Sequence, residues 1–563
     1  MDTDNTPILS IQNLNVGFGS RKGIVQVLHD VSFDLQRGKT TAVVGESGSG
    51  KSVTARAILN MVPRPGAIHG GKIMFQPHGG ASVDLASLDS RGKQIRKIRG
   101  GHIGMIFQEP MSSLSPVHTI GSQIIEAIRL HRPFSKKEAR DVAKKLLEQV
   151  EIPEPEKALD KYAFEFSGGM RQRAMIAMAL SCEPDVLIAD EPTTALDVTT
   201  QAEIIDLMGN LQRDRGMSIM FITHDMGVVA EIADDVIVME KGHVVEHGET
   251  LALFAHQQHP YTHRLLSSIK RLDEPAPLKH RPAHDANILL EVNDLALHFE
   301  KREGFMQRVS STTRAVDGVS FSLRKGEALG IVGESGSGKT TVGRCISRVY
   351  EPTAGTIRYD GTDLTKASAG QLQPYRKQIR MIFQDPFASL NPRMTVKQIV
   401  AEPLYVNGIA TGSELEDRVA RLLTEVGLDP AMMERYPHAF SGGQRQRIVV
   451  ARAIALEPRL IIADEPTSAL DVSIRTQVLD LLLGLQADMG LSFVFISHDM
   501  AVIRYFCDRV AVMYQGRIVE IGETEQIITD PQHPYTQALL SSVPISDPTQ
   551  RGTRTRHRYR EDA

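Results

Sequence analysis

The chain contains its own second copy, and that duplication limits the possible folds more than any other feature. GESGSGKS at 45–52 returns as GESGSGKT at 333–340, IFQEP at 106–110 as IFQDP at 382–386, and FSGGMRQR at 166–173 as FSGGQRQR at 440–447. ADEPTTALDV at 189–198 returns as ADEPTSALDV at 463–472, ITHDM at 222–226 as ISHDM at 496–500, and QHPYT at 258–262 as QHPYT at 532–536. The interval from Ser167 to Ser441 equals that from His224 to His498, so the later motifs keep one register, while the second copy is shorter between its first two motifs. Such a period far exceeds the roughly 20–50 residues of solenoid repeats, so what is repeated is a domain.

Each copy needs its own core, because 563 residues exceed what one hydrophobic core holds. The copies read as residues 7–266 and 288–546. Between them, 267–287 contains PAP and KHRP without periodic apolar positions and reads as a linker. About 20 residues reach up to ~70 Å when extended, enough for two domains to face each other. Residues 547–563, with RGTRTRHRYRED, read as a disordered, solvated tail, contact with lipid head groups being the other reading.

Composition excludes several classes. Lys and Arg number 64 against 68 Asp and Glu, a net charge of −4, so no overall basic excess points to nucleic acid. Cys182, Cys345 and Cys507 lie far apart and form no CxxC pair, which fits a reducing compartment. The start, MDTDNTPILSIQ, lacks the basic residues and apolar core of a signal peptide. No stretch approaches the roughly 20 apolar residues that span a bilayer, and short runs such as Phe493 to Ile496 read as buried strands. A transport role would therefore place the pore on other chains.

The repeated motifs carry phosphate chemistry. Each copy runs from an apolar strand (Thr41 to Val44; Ala328 to Val332) through a glycine-rich loop into a helix. Gly45, Ser47, Gly48 and Gly50, and Gly333, Ser335, Gly336 and Gly338, let backbone N–H groups turn inward around phosphate oxygens. Lys51 and Lys339 add charge for the outer phosphates, the Ser52 and Thr340 hydroxyls can hold Mg²⁺, and the helix N-terminus favours an anion. A single such loop could be an idle turn; two in matching contexts point to nucleotide. The strands VLIA and LIIA end in Asp190-Glu191 and Asp464-Glu465, where the first carboxylate can orient Mg²⁺, directly or through water, and the second can polarise an attacking water. Ser167-Gly168-Gly169 and Ser441-Gly442-Gly443 precede helical runs and expose N–H groups for a second anion contact. Gln108 and Gln384 could reach the metal or water and sense the nucleotide, or be ordinary surface residues, and His224 and His498 at strand ends would read as structural but for their recurrence in register. Phe18 and Phe299, in early strands, either stack on an adenine ring or belong to the core.

The order of P-loop, glutamine, SGG, Asp-Glu, ALD and histidine resembles the ABC ATPase family over nearly the whole chain. The resemblance implies an α/β fold: two tandem P-loop NTPase domains, each a RecA-like core with an antiparallel β subdomain and a helical subdomain. It implies ATP and Mg²⁺ at two composite sites, with each P-loop facing the other copy's SGG turn. Glu191 and Glu465 would be general bases or water-positioning groups, and His224 and His498 would contact the γ-phosphate. Ser52, Gln108 and Asp190, with Thr340, Gln384 and Asp464, would serve the metal, and Asp197 and Asp471 would signal between the halves.

FQEPMSSLSP, FQDPFASLNPR, the two signatures and the doubled HPYT are similar to the oligopeptide, dipeptide and nickel importer branch. MALSCEPDVLIADEPTTALDV and FITHDMGVVAEIAD resemble the fused ATP-binding subunits of glutathione importers, as does GFMQRVSSTTRAV. The resemblance implies an ATPase motor for uptake of a small peptide, lying peripherally on the cytoplasmic face of the plasma membrane. One copy per transporter would work with two transmembrane permease subunits and a periplasmic or surface substrate-binding protein, and no nucleic acid. Relatives that carry an iron–sulfur cluster have cysteines after HPYT; this chain has none there, so no cluster is expected. HPYT itself is expected to pack the C-terminal segment. The rival reading, a soluble twin-cassette factor acting on ribosomes or DNA, would call for a long charged helical linker or cysteine-bearing inserts. A sugar-importer motor would often show one degraded half, and both halves here keep Glu and His.

Overall fold

The structure, a computed structural model, describes residues 6–21, 23–109, 113–194, 196–267, 287–303, 308–468, 470–553 and 555–559. Most of the expected linker, 268–286, lies outside these residues. Two compact units result: Met1–Leu196, Thr200–Ile269 and Pro544–Arg554 form the first, and Asp197–Thr199, Lys270–Val543 and Thr555–Ala563 the second.

In the first unit, β1 (Leu9–Ser20), β2 (Gly23–Leu35), β4 (Gly66–Phe75) and β5 (Val83–Asp84) make an antiparallel sheet in the order β2-β1-β4-β5. Alternation builds it: Val31, Phe33 and Leu35 on β2 are buried while Ser32 and Asp34 face out. A six-stranded sheet has the order β10-β9-β3-β8-β7-β6, from β3 (Thr40–Val44), β6 (Ile103–Ile106), β7 (Val186–Asp190), β8 (Ser218–Thr223), β9 (Asp235–Glu240) and β10 (His243–Glu249). Only β9 and β10 pair antiparallel. Strands β3, β7 and β8 are buried at every position, as continuous apolar runs in a covered parallel sheet should be. Helices Ile120–His131, Lys136–Gln149 and Gly168–Ala179 share a core through Ile124, Ile128, Leu147 and Ile176.

The second unit repeats the plan. Strands β11 (Ile288–Glu303), β12 (Arg308–Arg324), β14 (Ala354–Tyr359) and β15 (Thr362–Asp363) form the antiparallel sheet. The larger sheet has the order β16-β17-β18-β13-β19-β20, from β13 (Ala328–Val332), β16 (Ile379–Ile382), β17 (Leu460–Asp464), β18 (Ser492–Ile496), β19 (Arg509–Tyr514) and β20 (Arg517–Glu523).

Register places the motifs together. Val44 pairs with Thr223 and Asp190 with Ile222, so the carboxyl ends of β3, β7 and β8 lie side by side. In the second unit Ile331 and Asp464 both pair with Ile496. Ligands in open α/β sheets bind at these ends.

The segment expected as a disordered tail has defined contacts in its described part. Asp547 caps the short turn Pro548–Gln550, and the Arg551 guanidinium donates to the carbonyls of Ile232 and Ala233 and to Asp234. His557 N–H donates to Ser541 Oγ, and Tyr559 packs on Tyr514, His533 and Tyr535. Charge alone suggested solvation; carbonyls at a helix end and an aromatic cluster give these residues partners.

Candidate ATPase sites

The glycine-rich loops are held by contacts that only glycine allows. A Cβ on Gly45 would stand 2.2 Å from the Met239 carbonyl oxygen, and one on Gly333 would stand 2.1 Å from that of Met513. Gly50 and Gly338, at φ 103° and 101°, begin the helices Lys51–Ile58 and Lys339–Ile346 in the left-handed region. Lys51 is buried, and its Nζ donates to the carbonyls of Gly45 at 2.6 Å and Glu46 at 2.9 Å. Lys339 does the same with Gly333 and Glu334, both at 2.7 Å. Burial pushes the Lys339 ammonium below its ordinary value.

Across from each loop stands the acidic strand end. Ser52 Oγ donates to Asp190 and Thr340 Oγ1 to Asp464, each at 2.8 Å. Gln108 Nε2 donates to Glu191 and Gln384 Nε2 to Glu465, again at 2.8 Å, so each glutamine is joined to the second carboxylate of its pair. His224 Nδ1 lies 3.5 Å from Glu191 and His498 Nδ1 3.1 Å from Glu465. Glu191 and Glu465 hold φ of 48° and 47°, a conformation that side chains other than glycine adopt at a cost. Their N–H groups remain bonded, to the carbonyls of Ile222 and Ile496.

Neighbouring carboxylates are pushed in opposite directions. Burial raises Asp190 and Asp464, against the help of the Ser52 and Thr340 hydroxyls. Burial would also raise Glu191, but His224, Thr194 and Lys51 outweigh it and bring the carboxyl down to about 2. Glu465 is lowered likewise, chiefly by His498 working against burial, and His498 is raised by Glu465 in spite of its own burial.

The signature turns are helix N-caps. Ser167 Oγ accepts from Met170 N–H and Ser441 Oγ from Gln444 N–H. In the second unit Gln444 also returns a bond to Ser441 N–H, which Met170 has no atom to do. A Cβ on Gly443 would meet Ile474 Cγ2 at 2.2 Å, and one on Gly169 would meet Thr200 Cγ2 at 2.7 Å. Phe18 is half-buried against Gly66, whereas Phe299 is 43% exposed and meets Tyr350 edge-on at 5.7 Å.

Some partners escaped the sequence reading. Thr194 Oγ1 donates to Glu191 at 2.9 Å. The HPYT tyrosines reach the P-loops: Tyr261 Oη accepts from Glu46 N–H at 2.8 Å and Tyr535 Oη from Glu334 N–H at 3.1 Å. The doubling of HPYT was the available signal.

Comparison with known proteins identifies the family. The family model described as ABC transporter matches residues 28–194 and 316–468, together more than half of the chain. The model described as Oligopeptide/dipeptide transporter, C-terminal region, matches 245–294 and 519–562. The glutathione import ATP-binding protein GsiA of Escherichia coli (strain K12) is 48% identical over 97% of this chain and 91% of that protein. GsiA of Salmonella choleraesuis (strain SC-B67) is 48% identical over 99% and 92% respectively. Among solved structures, the dimeric post-hydrolysis state of the ATP-binding cassette MJ0796 bound to ADP and Pi is 28% identical, with a TM-score of 0.38 over 42% of this chain and 99% of that one. With two cassettes and two oligopeptide-type C-terminal regions on one polypeptide, the chain belongs to the ABC transporter family as an ATP-binding subunit of the oligopeptide importer type.

Proposed function

We propose that this chain is the ATP-hydrolysing motor for import of glutathione or a closely related small peptide. The observation that carries the motor reading is the complete, doubled constellation: buried P-loop lysine, hydroxyl–aspartate pair and glutamine–glutamate–histidine cluster, with no member missing from either cassette. The substrate reading rests on near-full-length similarity to glutathione import proteins.

In this reading the P-loop amides and Lys51 or Lys339 hold the triphosphate. Glu191 and Glu465, kept ionised at neutral pH, orient the water for in-line attack and draw on its proton. His224 and His498 fix those carboxylates and present an imidazole edge to the γ-phosphate. The hydroxyl–carboxylate pairs Ser52–Asp190 and Thr340–Asp464, with Gln108 and Gln384 close by, are all-oxygen donor sets of the kind a hard divalent cation takes, so they fit Mg²⁺. Bound there, Mg²⁺ would neutralise phosphate charge. The helix N-termini at Ser167 and Ser441 suit a further phosphate contact. No helix among the described residues is long and apolar enough to cross a membrane, which supports placing the pore on separate permease subunits, with the motor docked at their cytoplasmic face.

Joint substitution Glu191→Gln and Glu465→Gln should abolish hydrolysis while leaving ATP binding intact, read by phosphate release and nucleotide binding on the same preparation. Wild-type turnover in the double variant would remove both residues from the reaction. Uptake of labelled glutathione into vesicles holding this chain with its permeases, competed by a di- and tripeptide series, tests the substrate.

A further inference from the structure

The HPYT motif has no place in the phosphate chemistry described so far, yet its tyrosine ends on the loop that holds the phosphates. In the first cassette Tyr261 is the second residue of the helix Pro260–Ser267 and is 3% exposed. Its hydroxyl accepts the N–H of Glu46, the residue directly after Gly45. Lys51 binds the carbonyls of those same two residues, and Gly45 lies against the Met239 carbonyl of β9. The start of the loop is thus held from three sides, and the tyrosine comes from outside the P-loop and its helix.

The motif is itself positioned by the hairpin that supports Gly45. Glu246, on β10, accepts the N–H groups of Gln258 and His259 at 2.8 and 3.0 Å, and His259 Nδ1 accepts that of Tyr261 at 3.2 Å. Glutamate, glutamine, histidine and tyrosine therefore form one chain of hydrogen bonds from β10 to the loop. Every link recurs in the second cassette: Glu520 accepts from Gln532 and His533 at 2.8 and 3.1 Å, His533 Nδ1 from Tyr535 at 3.1 Å, and the Tyr535 hydroxyl takes Glu334 N–H. Burial raises the Tyr535 phenol, so it stays a neutral hydroxyl. A contact made twice, by cassettes whose sequences differ widely between their motifs, is no accident of one packing.

We propose that Tyr261 and Tyr535 are positioning residues for ATP: each hydroxyl ties the first amide after the leading P-loop glycine, holding the loop in its phosphate-binding shape before the nucleotide arrives. The inference rests on the ATPase reading above. Its physical content is preorganisation: a loop already in shape loses less entropy on binding. Removing one neutral hydrogen bond of about 1 kcal/mol corresponds to about a fivefold change in an equilibrium constant.

Tyr261→Phe and Tyr535→Phe keep the rings and delete only the hydroxyls. In the full chain carrying both, the ATP concentration for half-maximal hydrolysis should rise about fivefold while kcat at saturating ATP stays within about twofold. The melting temperature without nucleotide should move little, and its rise on adding ATP should shrink. An unchanged half-saturation point, or a loss of kcat and nucleotide-free stability with an undiminished ATP-induced rise, overturns the proposal. If the double variant does not fold, each single variant is judged by the same ATP-induced rise. A wild-type chain that fails to hydrolyse ATP would sink the motor reading instead, so the two failures are distinct.

Discussion

Three demands meet on the Glu465 carboxyl: a left-handed backbone, a glutamine donor and a histidine 3.1 Å away. Its lowered pKa contributes stability above the ordinary carboxylate value of 4.5, and that contribution is lost as pH falls through the folded value. His498 is raised, so its contribution is full below the ordinary imidazole value of 6.5 and is lost as pH rises through the folded one. Both hold together between those limits. Glu465→Gln should therefore lower the melting temperature of the second cassette most between pH 4.5 and 6.5, with the deficit narrowing as His498 deprotonates. A deficit constant across a pH series would show that the pair is not what the substitution removes. At this scale the sequence was legible where a motif names a residue by its own chemistry, as for Lys51, Asp190, Glu191 and His224. It was silent where identity follows from tertiary placement: nothing in GESG or HPYT alone says that Glu46 offers its backbone to Tyr261. Nor does ADEP announce that its glutamate carries positive φ.

The two signature helices share a start and differ by one bond. Ser441 and Gln444 cap each other reciprocally, whereas Ser167 caps alone because Met170 turns an apolar chain into the helical core. Gln444→Met should free the Ser441 N–H and weaken the first turn of the helix Gly442–Ile454 by about 0.5 kcal/mol. Ser441→Ala should cost about 1 kcal/mol. Amide exchange at Ser441 and Gln444 reads both, and equal protection in Gln444→Met and wild type would deny the second bond any weight. The fully buried strands β7, β8, β17 and β18 were plain from their apolar runs. The antiparallel hairpins were harder to read, because bulges at Ile11/Leu14 and Val292/Leu295 break the alternation that would announce them.

Duplication fixes the architecture of the whole chain, but the copies are not equivalent at the helix that follows the motif histidine. In the second cassette Arg504, on the helix Met500–Phe506, makes a two-pronged bond to Glu525. The register from His224 and His498 puts Ala230 and Leu251 at those places in the first cassette, so that tie is absent there. The first unit draws instead on residues 544–554: Ile545 N–H donates to Glu231, and Arg551 spans the carbonyls that end the helix Met226–Ile232. A cation over the carbonyls at a helix C-terminus contributes up to about 1 kcal/mol. This helix begins at Asp225, directly after His224, so its hold bears on the histidine's aim at Glu191. The sequence hid this because a basic, aperiodic end reads as solvated whenever its partners lie hundreds of residues upstream. Arg551→Ala should speed amide exchange across Met226–Ile232 about fivefold and leave Met500–Phe506 at its wild-type rate. Equal acceleration in both helices would mean that the substitution loosens the chain at large. No acceleration in either would mean that the first cassette holds its histidine helix without help from the end of the chain.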